Sequence, residues 1–130
     1  MTHLPALVTL LTMLLLLATV WAVGRARDRY NIKAPAITGD PGFERAYRVQ
    51  MNTLEQTVMF LPTLWLAANF GFSGWAGIAG LIWLVGRAWY AIAYLRDASK
   101  RGPGFMVAML AWLALLIMAV IGVARAMMLG

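Results

Sequence analysis

An unbroken apolar stretch near the N-terminus constrains the fold of this chain most strongly. Residues 4–24 contain no charged side chain. A helix of that length crosses the roughly 30 Å hydrocarbon core of a bilayer, so the stretch predicts a transmembrane helix. Three further apolar stretches follow at residues 43–72, 75–95 and 105–128. The pattern predicts an all-α membrane protein, a four-transmembrane-helix bundle that forms one domain over residues 1–130.

The overall composition agrees with a membrane location. Hydrophobic residues make up 62% of the chain and the mean hydropathy is +0.75, which is more apolar surface than a small soluble domain can bury. A cleaved signal peptide is the alternative for residues 4–24. A retained helix is favoured because no basic segment precedes the stretch and no small-residue cleavage site follows it.

Positive charge is concentrated in two predicted loops. One loop carries Arg25, Arg27, Arg29 and Lys33, and the other carries Arg96, Lys100 and Arg101. The positive-inside rule places both loops in the cytoplasm and both termini outside, and we expect a multi-pass protein of a bacterial inner membrane. The net charge of +6 is then a topology signal, and no nucleic-acid partner is expected because a basic stripe with interleaved aromatics is missing.

The chain has few residues that could act as its own nucleophile or metal ligand. It has no cysteine, and its one histidine is His3 near the N-terminus. This excludes a Cys/His metal cluster, a catalytic cysteine and a histidine-based triad within one chain, so no metal is expected. If the protein is an enzyme, a substrate or cofactor must supply the reactive group.

Two of the apolar stretches carry polar residues at helical spacing. The stripe on the second predicted helix is Arg45, Arg48, Asn52 and Glu55. The stripe on the third is Arg87, Tyr90, Tyr94, Asp97 and Arg101. Steps of three and four place each set on one helix face. Glu55 and Arg87 fall at similar depths inside the bilayer, where a charge is costly, so we expect them to interact across the helix interface.

Such stripes have two interpretations. Polar residues can simply join helices within a membrane. The arginines, however, outnumber the acidic residues in these stripes, and excess cationic donors in a low-dielectric cleft suit an anionic ligand with carboxylate or phosphate groups. We therefore favour a ligand site that opens toward the cytoplasmic side.

At these stripes the sequence resembles the MAPEG family, the membrane-associated proteins of eicosanoid and glutathione metabolism. Residues 43–55, FERAYRVQMNTLE, match the family's F-E-R-x-x-R-x-Q-x-N-x-x-E run. Residues 86–94, GRAWYAIAY, followed by Arg101 and then Pro103-Gly104-Phe105, match a second family motif. One branch of the family carries paired arginines where this chain has Arg27-Asp28, which argues against that branch's leukotriene-type reaction.

The resemblance implies a homotrimer that binds glutathione between neighbouring subunits. Arg48, Asn52, Glu55 and Tyr90 would hold the γ-glutamyl end, and Arg27 and Gln50 would reach the glycine carboxylate. Tyr94 and Arg101 would lie near the sulfur as the catalytic residues, with Arg101 stabilising the thiolate and Arg87 supporting the site. The implied activity is that of a glutathione S-transferase or glutathione-dependent peroxidase acting in detoxification on lipophilic electrophiles or lipid hydroperoxides that arrive through the membrane lipid.

Two other functions are compatible with parts of the sequence. A non-catalytic lipid-binding or scaffold protein could use the same fold, although it would not need the full set of polar residues. A small transporter or channel subunit would need polar faces along a continuous pore. The first and fourth predicted helices are nearly all apolar, which argues against a pore.

Overall fold

Helices account for all the regular secondary structure in the computed structural model, which describes residues 3–130. The four long helices are α1 (Leu4–Tyr30), α2 (Pro41–Ala67), α3 (Ser73–Arg96) and α4 (Gly102–Leu129). A π-helical turn, Ala68–Phe72, joins α2 to α3, and a 3-10 turn, Ala98–Lys100, joins α3 to α4. The predicted all-α class is confirmed.

Local sequence signals explain where α2 begins. Pro41 is the first helical residue, a position that needs no backbone N–H and favours the fixed φ of proline. The side chain of Asp40 accepts a hydrogen bond from the backbone N–H of Gly42 at 2.8 Å. Asp40 is therefore the N-cap of α2, and it fixes the start of the helix that carries the first polar stripe.

Three helical segments are apolar and long enough to cross a membrane: Leu4–Tyr30, Pro41–Arg96 and Ala98–Leu129. The second segment contains both α2 and α3, and its backbone leaves the helical region at Phe70 and Gly71. Gly71 has a φ of +108°, which glycine adopts without a steric penalty. The outward side chains of α1 are apolar, with Leu10 and Leu17 each 64% exposed. These features support an integral membrane protein.

Aromatic side chains tie the helices together inside the bundle. The rings of Phe60 on α2 and Trp83 on α3 stack with centroids 3.7 Å apart. The indole N–H of Trp65 donates to the hydroxyl of Thr9 on α1 at 3.0 Å. Burial of the indole N–H with a partner avoids an unsatisfied donor in an apolar interior.

Helices α3 and α4 approach each other through glycines. A Cβ atom on Gly104 would lie 2.5 Å from the backbone nitrogen of Tyr90, and one on Gly86 would lie 2.7 Å from the backbone nitrogen of Ala108. Only glycine allows backbones to pack this closely. The contact holds the start of α4, and with it Arg101, close to the end of α3 that carries Tyr90.

Substituting Gly104 by alanine should destabilise the protein. The added methyl group meets rigid backbone, so we expect a loss of about 1–3 kcal/mol in the free energy of unfolding. Thermal unfolding of the detergent-solubilised protein, followed by circular dichroism, would measure the loss. Gly24→Ala is the matched control because a Cβ on Gly24 meets nothing within 4 Å. Equal melting temperatures for the two variants would contradict the close packing.

Both basic loops lie at one end of the bundle. The Nε–H of Arg45, near the start of α2, donates to the carbonyl of Leu95, near the end of α3, at 3.2 Å. At the opposite end, Phe70 in the α2–α3 connection packs against Gly122 of α4. The arrangement agrees with one membrane side for both loops, while the assignment of that side to the cytoplasm stays a prediction.

Candidate functional site

A groove of about 580 Å³ lies between α2, α3 and the turn before α4. It is lined by Ile37, Thr38, Glu44, Tyr47, Arg48, Met51, Asn52, Glu55, Tyr90, Tyr94 and Arg101. Six of these residues were expected at the site from the sequence: Arg48, Asn52, Glu55, Tyr90, Tyr94 and Arg101. The structure therefore brings residues from both polar stripes into one cavity.

The stripe on α2 faces outward from the bundle. The buried face of this helix includes Val49, Thr53 and Thr57, which pack toward the other helices. Arg48 and Glu55 lie on the other side of the helix and are exposed. The groove is consequently an outer surface of this chain, open on the side away from α3.

Two tyrosines of α3 form one wall of the groove. Tyr90 is 3% exposed, and its ring meets the ring of Tyr94 edge-on with centroids 5.5 Å apart. Phe105 of α4 packs behind Tyr90, with ring centroids 6.0 Å apart. This packing restricts the rotamers of both tyrosines, so their hydroxyl groups are held in fixed directions.

Arg101 reaches the groove by a different route from the one that the spacing predicted. Helix α3 ends at Arg96, and Asp97 is extended, with φ −160° and ψ 116°. The continuation of the α3 stripe to Asp97 and Arg101 is therefore wrong. Arg101 follows the 3-10 turn, where its Nη1 donates to the carbonyl of Ala98 at 2.6 Å. Its guanidinium carbon lies 5.7 Å from the centroid of the Tyr94 ring, so both residues end at the same side of the groove.

The turn that positions Arg101 is capped by Asp97. The carboxylate of Asp97 accepts hydrogen bonds from the backbone N–H and the hydroxyl of Ser99, at 3.0 and 2.8 Å. These bonds hold the pKa of the Asp97 carboxyl below its usual range, and the bond from the backbone N–H of Ser99 has the largest effect. The cap therefore stays ionised at neutral pH and keeps the turn formed.

Arg87 lies beneath the groove. Its Nη2 donates to Oδ1 of Asn52 at 2.8 Å and to the hydroxyl of Thr53 at 2.9 Å. Its guanidinium carbon is 4.1 Å from the centroid of the Tyr90 ring. Arg87 is 1% exposed, and its contacts fix the side chains of two groove residues, one on each helix.

The expected pairing of Arg87 with Glu55 is wrong. The hydrogen bonds of Arg87 go to Asn52 and Thr53 on α2. Glu55 is exposed and lines the groove, while Arg87 is buried beneath it. Similar depth in the membrane does not place two side chains on facing sides of their helices.

The groove contains charges of both signs. Its lining includes the arginines Arg48 and Arg101 and the glutamates Glu44 and Glu55. Glu44 is partly engaged, because its Oε2 accepts from the backbone N–H of Gly39 at 2.9 Å. The excess of arginine expected from the stripes is thus smaller in the cavity than in the sequence. A zwitterionic ligand suits this lining better than a simple anion.

Two of the expected ligand contacts lie outside the groove. Nη1 of Arg27 donates to the carbonyl of Ala36 at 2.7 Å, and its guanidinium carbon is 4.9 Å from the centroid of the Phe43 ring. Gln50 is two positions from Arg48 on α2 and so points to the opposite side of that helix. One copy of the chain does not bring Arg27 or Gln50 to the groove that Arg48 lines.

The groove also contains residues that were not predicted from the sequence. Tyr47 and Met51 line the groove, and their spacing of four residues, continued to Glu55, was a signal that could have identified them. Ile37 and Thr38 also line it, but they lie in the loop between α1 and α2, for which no periodic pattern exists.

Comparison with known proteins gives consistent matches over most of the chain. A model described as MAPEG family matches residues 5–121. An uncharacterized protein of Synechocystis sp. is 45% identical over 119 residues, which cover 92% of this chain and 87% of the relative. Microsomal glutathione S-transferase 2 of Homo sapiens is 36% identical over 103 residues, which cover 79% of this chain and 70% of the relative. Leukotriene C4 synthase of Cavia porcellus is 40% identical over 111 residues, which cover 85% of this chain and 74% of the relative.

Proposed function

The chain belongs to the MAPEG family, and we propose that it is a membrane-embedded glutathione transferase that also reduces lipid hydroperoxides. Relatives of 36–40% identity include proteins named as a glutathione S-transferase and as leukotriene C4 synthase, which supports transferase-type chemistry. The proposed co-substrate is glutathione, and the proposed second substrate is a lipophilic electrophile that enters from the bilayer.

The separation of charges in the groove carries this proposal. Glutathione has an ammonium group and a carboxylate at its γ-glutamyl end, a thiol in its middle and a second carboxylate at its glycine end. Arg48 would bind the γ-glutamyl carboxylate and Glu55 the ammonium group. Asn52, which Arg87 holds at 2.8 Å, and the hydroxyl of Tyr90 would complete the hydrogen bonds. Charge-assisted bonds of this kind are the strong ones in ligand sites.

Arg101 and Tyr94 would act on the sulfur. A free thiol has a pKa of about 8.5, and only the thiolate is a good nucleophile. Lowering that pKa by about two units requires about 2.7 kcal/mol of preferential stabilisation of the anion. A guanidinium and a phenol held at one end of the groove can supply it.

The reactions then follow from the thiolate. In transfer, the sulfur forms a bond to an electrophilic carbon while the leaving group departs with its electron pair, and the thiol proton goes to solvent. In reduction, two glutathione molecules are oxidised to the disulfide while a hydroperoxide is reduced to an alcohol and water. Neither reaction needs a nucleophile from the chain itself, in agreement with its lack of cysteine.

A homotrimer in which each of the four helices crosses the membrane is part of the same proposal. The groove is an outer surface, and neither Arg27 nor Gln50 of the same chain lines it. A neighbouring copy could bring its own Arg27 and Gln50 to the open side, where they would bind the glycine carboxylate. The basic end of the bundle would then face the cytoplasm, where glutathione is available, with both termini on the other side.

An activity assay tests the proposed function. The detergent-solubilised protein should conjugate glutathione with chlorodinitrobenzene and oxidise glutathione in the presence of cumene hydroperoxide, at rates proportional to protein concentration. S-methylglutathione is the control because it keeps both charged ends but has no free thiol. Glutathione binding without either reaction would contradict the proposed activity. A lack of both glutathione binding and activity would instead favour the alternative, a non-catalytic lipid-binding or scaffold protein.

A further inference from the structure

A second polar cavity, the basic pocket, lies at the same end of the bundle but apart from the groove. It has a volume of about 290 Å³ and lies where the C-terminal part of α1 meets the start of α2 and the end of α3. Its lining includes Trp21, Arg25, Arg29, Tyr30, Arg45 and Leu95. None of its lining residues lines the groove, and the proposed reaction uses none of them.

Each arginine of the basic pocket is held in place by one contact. The guanidinium carbon of Arg25 lies 4.9 Å from the Trp21 ring centroid, and that of Arg29 lies 5.5 Å from the Tyr30 ring centroid. Nε of Arg45 donates to the carbonyl of Leu95 at 3.2 Å. These contacts leave most of the guanidinium N–H groups available as donors.

The charge of the basic pocket is of one sign. Within the part of the chain that the structure describes, its lining contains the three arginines and no carboxylate. The groove, in contrast, contains two glutamates beside its arginines. Three guanidinium groups in a lining that holds no carboxylate attract an anion, and their forked donors match the oxygens of a phosphate group.

An apolar furrow runs along the bundle from the basic pocket. It has a volume of about 250 Å³, and its lining includes Leu15, Ala18, Val49, Ala88, Ile92 and Leu95. Leu95 also lines the basic pocket, so the two cavities adjoin at this residue. Thr19 adds no free donor to the furrow because its hydroxyl bonds to the carbonyl of Leu16 at 2.7 Å. The furrow is therefore suited to a hydrocarbon chain.

The dimensions and depth of the two cavities match one leaflet of a bilayer. At 1.5 Å per helical residue, Arg29 lies roughly 21 Å along α1 from Leu15. Half of the hydrocarbon core is about 15 Å thick, and a headgroup lies beyond it. Trp21, which is 62% exposed, marks the level of the headgroups, because tryptophan prefers the interface.

We propose that the basic pocket and the apolar furrow together bind an anionic phospholipid of the surrounding leaflet. The phosphate contacts Arg25, Arg29 and Arg45, and one acyl chain occupies the furrow between α1 and α3. The lipid joins the ends of all three helices that meet at the basic pocket. Basic pockets between helices at a membrane surface are typical sites for anionic headgroups.

Native mass spectrometry of the full chain tests this proposal. Phosphatidylglycerol should remain bound to the protein in preference to phosphatidylcholine of the same acyl chains. Each arginine near an anionic lipid strengthens binding about fivefold, so Arg25→Ala/Arg29→Ala should weaken phosphatidylglycerol binding roughly 25-fold. Glutathione binding should be unchanged in this variant.

Two further variants test whether the loss of lipid binding is specific to this site. Arg96→Ala/Arg125→Ala removes the same charge outside both cavities and should retain phosphatidylglycerol. Ala18→Phe fills the furrow without changing any charge and should also weaken binding. An equal loss in both double variants, or equal retention of the two lipids, would overturn the site. Full displacement of the lipid by inorganic phosphate at equal concentration, with Ala18→Phe having no effect, would show an anion site without a lipid and would also overturn it.

Discussion

Replacing Arg101 by alanine should leave glutathione bound to the protein but remove most of its thiolate. Its guanidinium contacts the turn carbonyl of Ala98 and the ring of Tyr94, both on the side of the groove away from α2, so its loss should not affect the α2 side of the groove. If Arg101 lowers the thiol pKa from about 8.5 to about 6.5, the thiolate fraction at pH 7 should fall roughly 25-fold in the variant. The ultraviolet absorbance of bound thiolate measures this fraction directly.

The pH profile distinguishes this role from a structural one. Activity of Arg101→Ala should recover as the pH rises toward the ordinary thiol pKa, because the uncatalysed ionisation then supplies the thiolate. Arg101→Lys should restore part of the thiolate at pH 7, since it keeps a positive charge. Full thiolate formation in Arg101→Ala, or a uniform loss of activity at every pH, would contradict the assignment.

Replacing Arg48 by alanine should instead reduce the affinity for glutathione. A hydrogen bond to a charged group contributes about 1.5–3 kcal/mol, which corresponds to a roughly 10- to 150-fold increase in Kd. Isothermal titration calorimetry measures the change. Arg96→Ala is the matched control because Arg96 is exposed at the end of α3 and lies outside the groove.

Glutathione analogues assign the contact to a particular group. An analogue without the γ-glutamyl carboxylate should bind the native protein and Arg48→Ala about equally, because the partner of Arg48 is missing from both complexes. An analogue without the ammonium group should likewise bind the native protein and Glu55→Gln about equally, because the partner of Glu55 is missing from both complexes. If Arg48→Ala weakened every analogue to the same extent, Arg48 would act on the fold of the groove and not on the carboxylate.

The helical parts of the site could be predicted from the sequence because periodicity determines which residues share a helix face. Arg48, Asn52 and Glu55 follow one another along α2, and the structure places all three in one groove. Tyr90 and Tyr94 are four residues apart on α3, and both line the same groove. The cost of placing polar groups in lipid indicated that both faces needed partners.

The parts of the site that depend on turns and on facing helices could not be predicted in this way. The backbone at Asp97 leaves the helix, so Arg101 reaches Tyr94 through a turn whose geometry no spacing describes. Arg87 bonds to Asn52 and Thr53 because the rotation of α2 about its axis brings that face to α3. The sequence gives the order of residues around each helix but not the angle between two helices.

The apolar stretches located the helices better than they located their ends. Helix α1 continues to Tyr30, beyond the last apolar residue of its stretch, because arginine and alanine are good helix formers in any solvent. The break between the predicted stretches 43–72 and 75–95 lies beside the observed connection at Phe70 and Gly71, although no charged residue marks it.

The structure of the protein with bound glutathione tests the central claim most directly. Cryo-electron microscopy of the glutathione-soaked protein should show the γ-glutamyl end between Arg48 and Glu55, with the sulfur beside Arg101 and Tyr94. Glutathione at any other place on the protein, or an empty groove at saturating glutathione, would contradict the account.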